Sequence, residues 1–477
     1  MKKLLTILAA IGLTATAGAA VVACSDKKAN EQPTQPEKPT EPENPGEVEK
    51  TTISNIKMNW VEVGTDFKEL KVLIAQEINK IEQTAKITED YTIEGNTDLV
   101  GEIIVSAVEE SNLLEGSFTI EVSEPIVTKP PEGAAENQTV YLDENGDIQT
   151  IDGSAPEGTT EVLWIGYDSE GIAYPMPETI LEVPNYISPN ITSLEMMFDF
   201  ADNFNGDVSK WDTTNVTNMT GTFKDAMNFN GDISRWNTSN VTTMADMFSA
   251  AYEFNADISG WNTENVTSFS YMFFEAYAFN LDISEWNTSN GESFEGMFAA
   301  AESFNSEIGN WDLSSAISLY GMFNEAASFN QDLSKWDTSS VEDLTDTFNG
   351  AVSFNQDITT WNTSNVTSMS QTFMGATLFN QDISTKKVVG QDGEEYVAWD
   401  VSNVEVMDGT FMDAESFNQN ISTWNVENVS NAVGMFQNAI SFNQDLSGWI
   451  FTNLTDCDYF SEGAIAWEES KKPNLPE

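Results

Sequence analysis

"FNGDISRWNTSNVTTMADMFSAA", residues 229–251, returns as "FNADISGWNTENVTSFSYMFFEA", residues 254–276. The step between the two is 25 residues, and it persists far beyond them. Trp stands at 211, 236, 261, 286, 311, 336 and 361, and again at 399, 424 and 449 after a 13-residue insertion, "KKVVGQDGEEYVA", residues 386–398. Alanine follows each of these Trp residues by fifteen positions, from Ala226 to Ala464. Phe-Asn precedes the acidic column throughout, from Phe204-Asn205 to Phe442-Asn443. The pattern F-N-x-D-I-S-x-W-[ND]-T-S-N-V-T-x-M-x-x-M-F-x-x-A recurs ten times over residues 198–464. Self-similarity at a fixed period of this size marks a repeat architecture.

The local shape of one copy follows from its spacings. Phe204 and Val208 lie four apart with polar residues between, so an extended segment turns both to one side. From Val216 onward the steps become three and four, through Met219, Phe223, Ala226 and Phe229, which predicts a short helix. "NTSN" between them is turn chemistry with hydroxyls able to cap that helix. The expected fold is therefore an α/β solenoid over 191–464, a leucine-rich-repeat-like stack of strand, turn and short helix. Parallel strands about 4.8 Å apart would make ten coils span on the order of 45–50 Å. One copy cannot bury its apolar face alone; a row of copies can.

The phrases "WNTSNVTSMSQTF" and "FNQDLSKWDTSSV" resemble the BspA-like leucine-rich repeats of mycoplasma-type surface lipoproteins. That resemblance implies a surface-exposed lipoprotein, with adhesion and antigenic variation proposed for the group, and it brings no catalytic residues. Gly291 and Ala316 depart from the pattern in the Val column, as does the insertion.

The beginning of the chain points the same way. Lys2 and Lys3 precede an uncharged apolar run to Ala23, the composition of an export signal over residues 1–23. Val21-Val22-Ala23-Cys24 resembles a bacterial lipobox, which implies cleavage between Ala23 and Cys24 and lipid attachment at Cys24. Multiple acyl chains would hold the protein on the extracellular face of the cell membrane. Residues 24–50 carry prolines at 33, 36, 39, 42 and 45, the period of a polyproline II rod. At roughly 3.1 Å per residue such a disordered stalk reaches about 80 Å.

Residues 51–126 alternate and then turn helical, with Phe67, Leu70, Val72, Leu73, Ile78 and Ile81 as the expected apolar face of a helix in a small α+β domain. This segment resembles the β-rich domains of spiralin-type mollicute lipoproteins. Residues 127–190 read as a linker and β-hairpins that cap the first coil, and 465–477 as a C-terminal tail.

Charge and composition exclude much. Against 20 Lys+Arg stand 77 Asp+Glu, a formal charge of −57, so no basic surface exists for nucleic acid. Histidine is absent, which removes the commonest general base and most zinc sites. An extracellular carbohydrate-acting enzyme would need two carboxylates in one exceptional place, whereas these acids recur evenly; no enzyme and no cofactor are expected.

Three columns invite a functional reading. Turned outward, the Trp ladder would stack on sugar rings and make a glycan-binding module; turned inward, it would pack between coils, the reading adopted here. The acidic column, Asp207, Asp232, Asp257, Asp282, Glu307, Asp332, Asp357, Asp382, Asn420 and Asp445, would either bind calcium or accept N–H groups of its own turns. Asp143, Asn145 and Asp147 match only part of a calcium loop and read as a hairpin turn. The Asn of each Phe-Asn is expected in a hydrogen-bonding ladder, the Asn-x-Ser/Thr triplets are expected to carry no glycan, and Cys457 is expected to be a buried thiol. The expected function is adhesion, or protein–protein interaction, with a host or neighbouring-cell protein or glycan.

Overall fold

The computed structural model describes residues 50–58, 60–63, 65–98, 101–123, 127–390 and 393–476. The segment expected to be an export signal, Cys24 and the proline-rich segment, residues 1–49, lie outside the described residues. The chain divides into two compact units at Ile126/Val127.

The first unit places β2 (Val61–Glu62), β6 (Ser117–Ser123), β4 (Gly101–Ala107) and β3 (Tyr91–Glu94) side by side in one sheet, and pairs β1 (Thr51–Thr52) with β5 (Leu114–Glu115). Its helix α1 (Phe67–Ile81) begins where the Asp66 carboxylate accepts the Lys68 N–H at 2.8 Å, an N-cap. Leu70, Ile74 and Ile78 are buried against Ile103, Val105, Ile120 and Val122 of the sheet. The apolar face is thus rotated from the expected one: Ile74 belongs to it, while Val72 and Ile81 face outward. The step of four from Leu70 decides the buried line, and the other two residues fall off it.

The second unit opens with a sheet in which β7 (Thr139–Leu142) lies between β8 (Ile148–Ile151) and β9 (Val162–Trp164). From Ile172 the chain then coils on itself. Parallel bridges run Ile172, Ser193, Asn218, Thr243, Ser268 and onward to Asp456, one residue per coil. One continuous core fills the stack from Ala155 to Trp467.

Within a coil the expected short helix is absent, the expected strand over residues 204–208 forms no bridge, and the one bridging residue per coil, such as Asn218, falls in the stretch read as helix. Hydrogen bonding explains the missing helix and the bridge in its place. The N–H groups of Met219, Gly221, Phe223 and Asp225 donate to the carbonyls of Thr243, Ala245, Met247 and Ser249 in the next coil, at 2.7–3.1 Å. The alternate N–H groups of Thr222, Lys224 and Ala226 close tight turns onto Met219, Gly221 and Phe223. Half of the donors a helix would spend on itself are spent on the neighbouring coil. The turns require two left-handed residues per coil, such as Gly221 (φ 58) with Asp225 (φ 53), Asp246 with Ala250, and Gly296 with Ala300 (φ 56). Among the described residues α1 is the one α-helix.

The departures from the pattern are absorbed by packing. At Gly291 the missing Val is replaced in space by the Phe294 ring, with which any Cβ on residue 291 would collide. Ala316 is paired with Leu313 where other copies set Val beside Thr, so the volume is conserved. The insertion forms a hairpin of β10 (Lys386–Val389) and β11 (Glu395–Ala398), with Val388 and Tyr396 packed on the core and the Tyr396 hydroxyl bonded to the Thr360 carbonyl. The stack resumes in register: the Trp361 and Trp399 rings are 6.3 Å apart, as Trp399 and Trp424 are.

Residues beyond 464 are more than a tail. Trp467 is buried, donates to the Gln444 carbonyl, and meets Phe442 edge-on at 87°. The parallel ring stacks end against that perpendicular face.

A left-handed backbone costs an alanine roughly 1 kcal/mol relative to glycine. Gly375→Ala, whose new Cβ meets only ordinary contacts, is expected to lower stability by about that amount. Ala300→Gly is expected to raise it by up to about 1 kcal/mol. Denaturant midpoints of the two variants test this, and equal midpoints would refute the turn assignment.

Candidate functional site

The Trp column is interior. Trp236, Trp261, Trp286, Trp311 and Trp336 are at most 4 % exposed. Each indole Nε1 donates to a main-chain carbonyl of the preceding coil: Trp236 to Val208, Trp261 to Ile233, Trp286 to Ile258, at 3.0–3.2 Å. The rings stack on one another at 5.9 Å (Trp211–Trp236) to 6.4 Å (Trp286–Trp311). A glycan-binding Trp ladder is therefore ruled out, because the rings are buried between coils with their one polar atom already bonded.

The acidic column is exposed, and nine of its ten members are also occupied, Glu307 standing exposed outside the set. Oδ1 of Asp207, Asp232, Asp257, Asp282, Asp332, Asp357, Asp382 and Asp445 accepts the N–H two residues on, at 2.8–3.1 Å, and Asn420 does the same for Ser422. A second column, five residues further on, repeats the device, with Asn237 accepting from Ser239 and Asp312 from Ser314. The two short side chains bracket each Trp with turns of fixed geometry. The hydrogen bonds from the Ser284 N–H and hydroxyl hold the Asp282 carboxyl below its ordinary range. At Asp207 burial pushes upward, but the Ser209 hydroxyl and N–H and the Lys210 charge outweigh it.

Two asparagine ladders tie the coils. Asn205 Oδ1 accepts the Asn230 N–H, Asn230 that of Asn255, Asn255 that of Asn280, and the chain of acceptors ends at Asn443 with the Glu468 N–H. The Asn of the Asn-x-Ser/Thr triplets donates backwards: Asn240 Nδ2 to the Thr214 carbonyl, Asn265 to Ser239, Asn365 to Ser339, at 2.7–2.8 Å. Those amides are committed to the stack.

Asp143 accepts from the N–H groups of Asn145 and Asp147, which closes the β7–β8 hairpin. Among the described residues, no group of three or more Cys, Asp or Glu side chains is placed to hold a metal ion. Cys457 is half-buried rather than buried, since the last coil has no full coil beyond it; burial, then Asp458 and Asp456, push its thiol up. No helix of the described residues is long and apolar enough to cross a membrane.

The side chains left free to vary are those on the turn-rich outer edge. In the coil of Trp261 Tyr271, Phe274, Glu275 and Tyr277 face outward while Met272, Phe273 and Ala276 are buried. These positions read as filler in the pattern. The signal available in the sequence was that Tyr271 stands between Asp246 and Gly296 of the neighbouring copies, and Phe274 between Ser249 and Ala299.

These features define a repeat protein whose regular polar and aromatic columns build the scaffold. The chain belongs to the family described as "Mycoplasma protein of unknown function, DUF285", whose model matches residues 179–273, 232–327, 295–392 and 391–472. A Spiralin domain matches residues 49–121. Together the two matches support a mollicute surface protein located at the membrane. No curated protein and no solved structure matches the chain.

Removal of a buried indole should cost about 3–5 kcal/mol, so Trp286→Ala is expected to unfold far earlier than the parent. Oligosaccharides should leave the tryptophan emission of the native chain unmoved; a shift would return the ladder to the surface. Asp282→Ala should cost about 1 kcal/mol at neutral pH and Asp282→Asn much less, because the amide keeps the acceptor. The depressed carboxyl contributes stability that is full above its unfolded pKa and lost as pH falls through its folded one. The part of the Ala penalty that depends on ionisation should therefore disappear in acid, which pH-dependent denaturation measures.

Proposed function

We propose that this chain is a lipoprotein anchored through Cys24 on the extracellular face of the cell, where it presents a BspA-like, leucine-rich-repeat-type solenoid for adhesion to host or neighbouring cells. Cleavage between Ala23 and Cys24 and acylation of the Cys24 thiol supply the anchor, and the proline-rich segment holds the repeats away from the membrane. What carries the reading is the division of labour within each coil. Phe, Trp, Asn, Asp and Thr columns are consumed by packing and by bonds between coils, while the intervening outward positions differ from copy to copy. A scaffold that fixes its frame and frees its surface suits recognition, and it suits antigenic variation of that surface. It is not read as an enzyme: the carboxylates recur as turn acceptors, and no pair is set apart for acid–base work.

Two measurements test this. Cys24→Ser is expected to abolish incorporation of labelled palmitate and to leave the chain unanchored; retained label would move the attachment elsewhere. The labelled full chain in detergent micelles, with and without calcium, is expected to bind host-type cells or extracellular-matrix proteins saturably. Binding no greater than that of empty micelles would remove adhesion and leave a shielding coat.

A further inference from the structure

We propose that the outer edge of the coils between Asp246 and Tyr320 is a docking site for an arginine-bearing basic segment of a partner polypeptide; the proposal rests on the adhesion reading and names its site. Here the repeat makes a local exception. Tyr252 and Tyr277 stack with centroids 4.7 Å apart and planes 25° from parallel, and both are half-exposed. Glu275 sits with this pair, its carboxylate 3.5 Å from the Tyr252 hydroxyl. Tyr271 meets Phe274 edge-on at 6.1 Å and lies across Gly296 of the next coil, where any Cβ would collide with its ring. Tyr320 stands further along the same edge, 37 % exposed.

Tyr271 holds its ring outside the core from a left-handed backbone position. Its φ is +54°, in a column that other coils fill with glycine, as at Gly221 and Gly296, or with residues such as Met196, Asp246, Gln371 and Tyr459. A ring is disfavoured in that backbone region, and the column accepts one here and at Tyr459. The glycine in the next coil gives the ring its bed. Neither feature serves the core, because the ring is outside it.

Charge selects the occupant. From Trp236 to Ser334 the chain contains 14 Asp and Glu and neither Lys nor Arg. Burial first, then the carboxylates of Glu275, Glu295 and Glu302, raise the phenol pKa values of Tyr252, Tyr271 and Tyr277, a sign of the negative field around the rings. Ring faces bordered by carboxylates suit a planar cation, which stacks on one and pairs with the other. Anionic surfaces and anionic glycans are repelled.

The test is fluorescence polarisation of a labelled alternating arginine–glycine peptide with the full chain at physiological salt, beside lysine and citrulline versions. The expected order is arginine over lysine, with no binding of citrulline. Tyr271→Ala combined with Tyr277→Ala should weaken arginine-peptide binding about tenfold, and Glu275→Gln with Glu295→Gln similarly. Asp332→Asn with Asp357→Asn removes as much charge while keeping both turn acceptors, and should change little. Tyr271→Phe should retain binding, and unchanged denaturant midpoints establish that the variants are folded. Absence of binding by the parent chain, or equal losses in the edge and control variants, would overturn the proposal. Displacement of the peptide by a neutral oligosaccharide would overturn it in favour of a sugar site. A parent that attaches to matrix proteins no better than its edge variant refutes the docking site and leaves adhesion standing; peptide binding through the edge without any attachment to cells or matrix supports the site and refutes adhesion.

Discussion

Each coil gives alternate main-chain N–H groups of its turn segment to the next coil, and the rest of the structure depends on that exchange. Phe223 donating to Met247, and Asp225 to Ser249, fix the spacing of successive coils. The spacing in turn brings the Phe rings into continuous stacks and sets Trp rings on one another beside them. It also explains why the backbone must enter the left-handed region twice per coil, and why Gly, and after it Asp, recur there. No coil is self-sufficient, because its buried donors have their acceptors in the neighbour. The ends must therefore be closed, by the β8–β7–β9 sheet at one and by Trp467 at the other.

The side-chain ladders act as a second set of ties in the same direction. Asn, Thr and Trp each contribute a bond from one coil to the next, and Thr213, Thr238 and Thr263 bury their hydroxyls by donating to carbonyls of the following coil. Individually such bonds are worth about 1 kcal/mol. Their repetition from coil to coil keeps the pattern regular, and it leaves few inward positions free for any other use.

The columns were legible because each residue type has a narrow structural use: Asp and Asn for turns, Phe and Trp for stacks, Ala for a close approach. Asp282 and its equivalents fell where turn chemistry puts them. The helix was misread because a step of three and four, Met219 to Phe223 to Ala226, also results when tight turns follow one another. Spacing reports which side chains share a face, and it does not report whether an N–H bonds within its own coil or to the next. The direction of Trp was illegible for the same reason, since its distance from Ile crosses a turn. The edge with Tyr252, Tyr271, Phe274 and Tyr277 was hidden by averaging: a consensus reading calls those positions variable, and variability is where a surface distinguishes itself.

Residue-resolved amide hydrogen exchange on the native chain tests the coil-to-coil hydrogen bonding most directly. The account predicts that the left-handed residues themselves, Asp246, Ala250, Glu275 and Ala300, have amides among the slowest, because each donates into the next coil. Their exchange should require the stack to open and should accelerate together in Trp286→Ala. Rapid exchange at these four amides, with protection running continuously through each coil as in a helix, would contradict it.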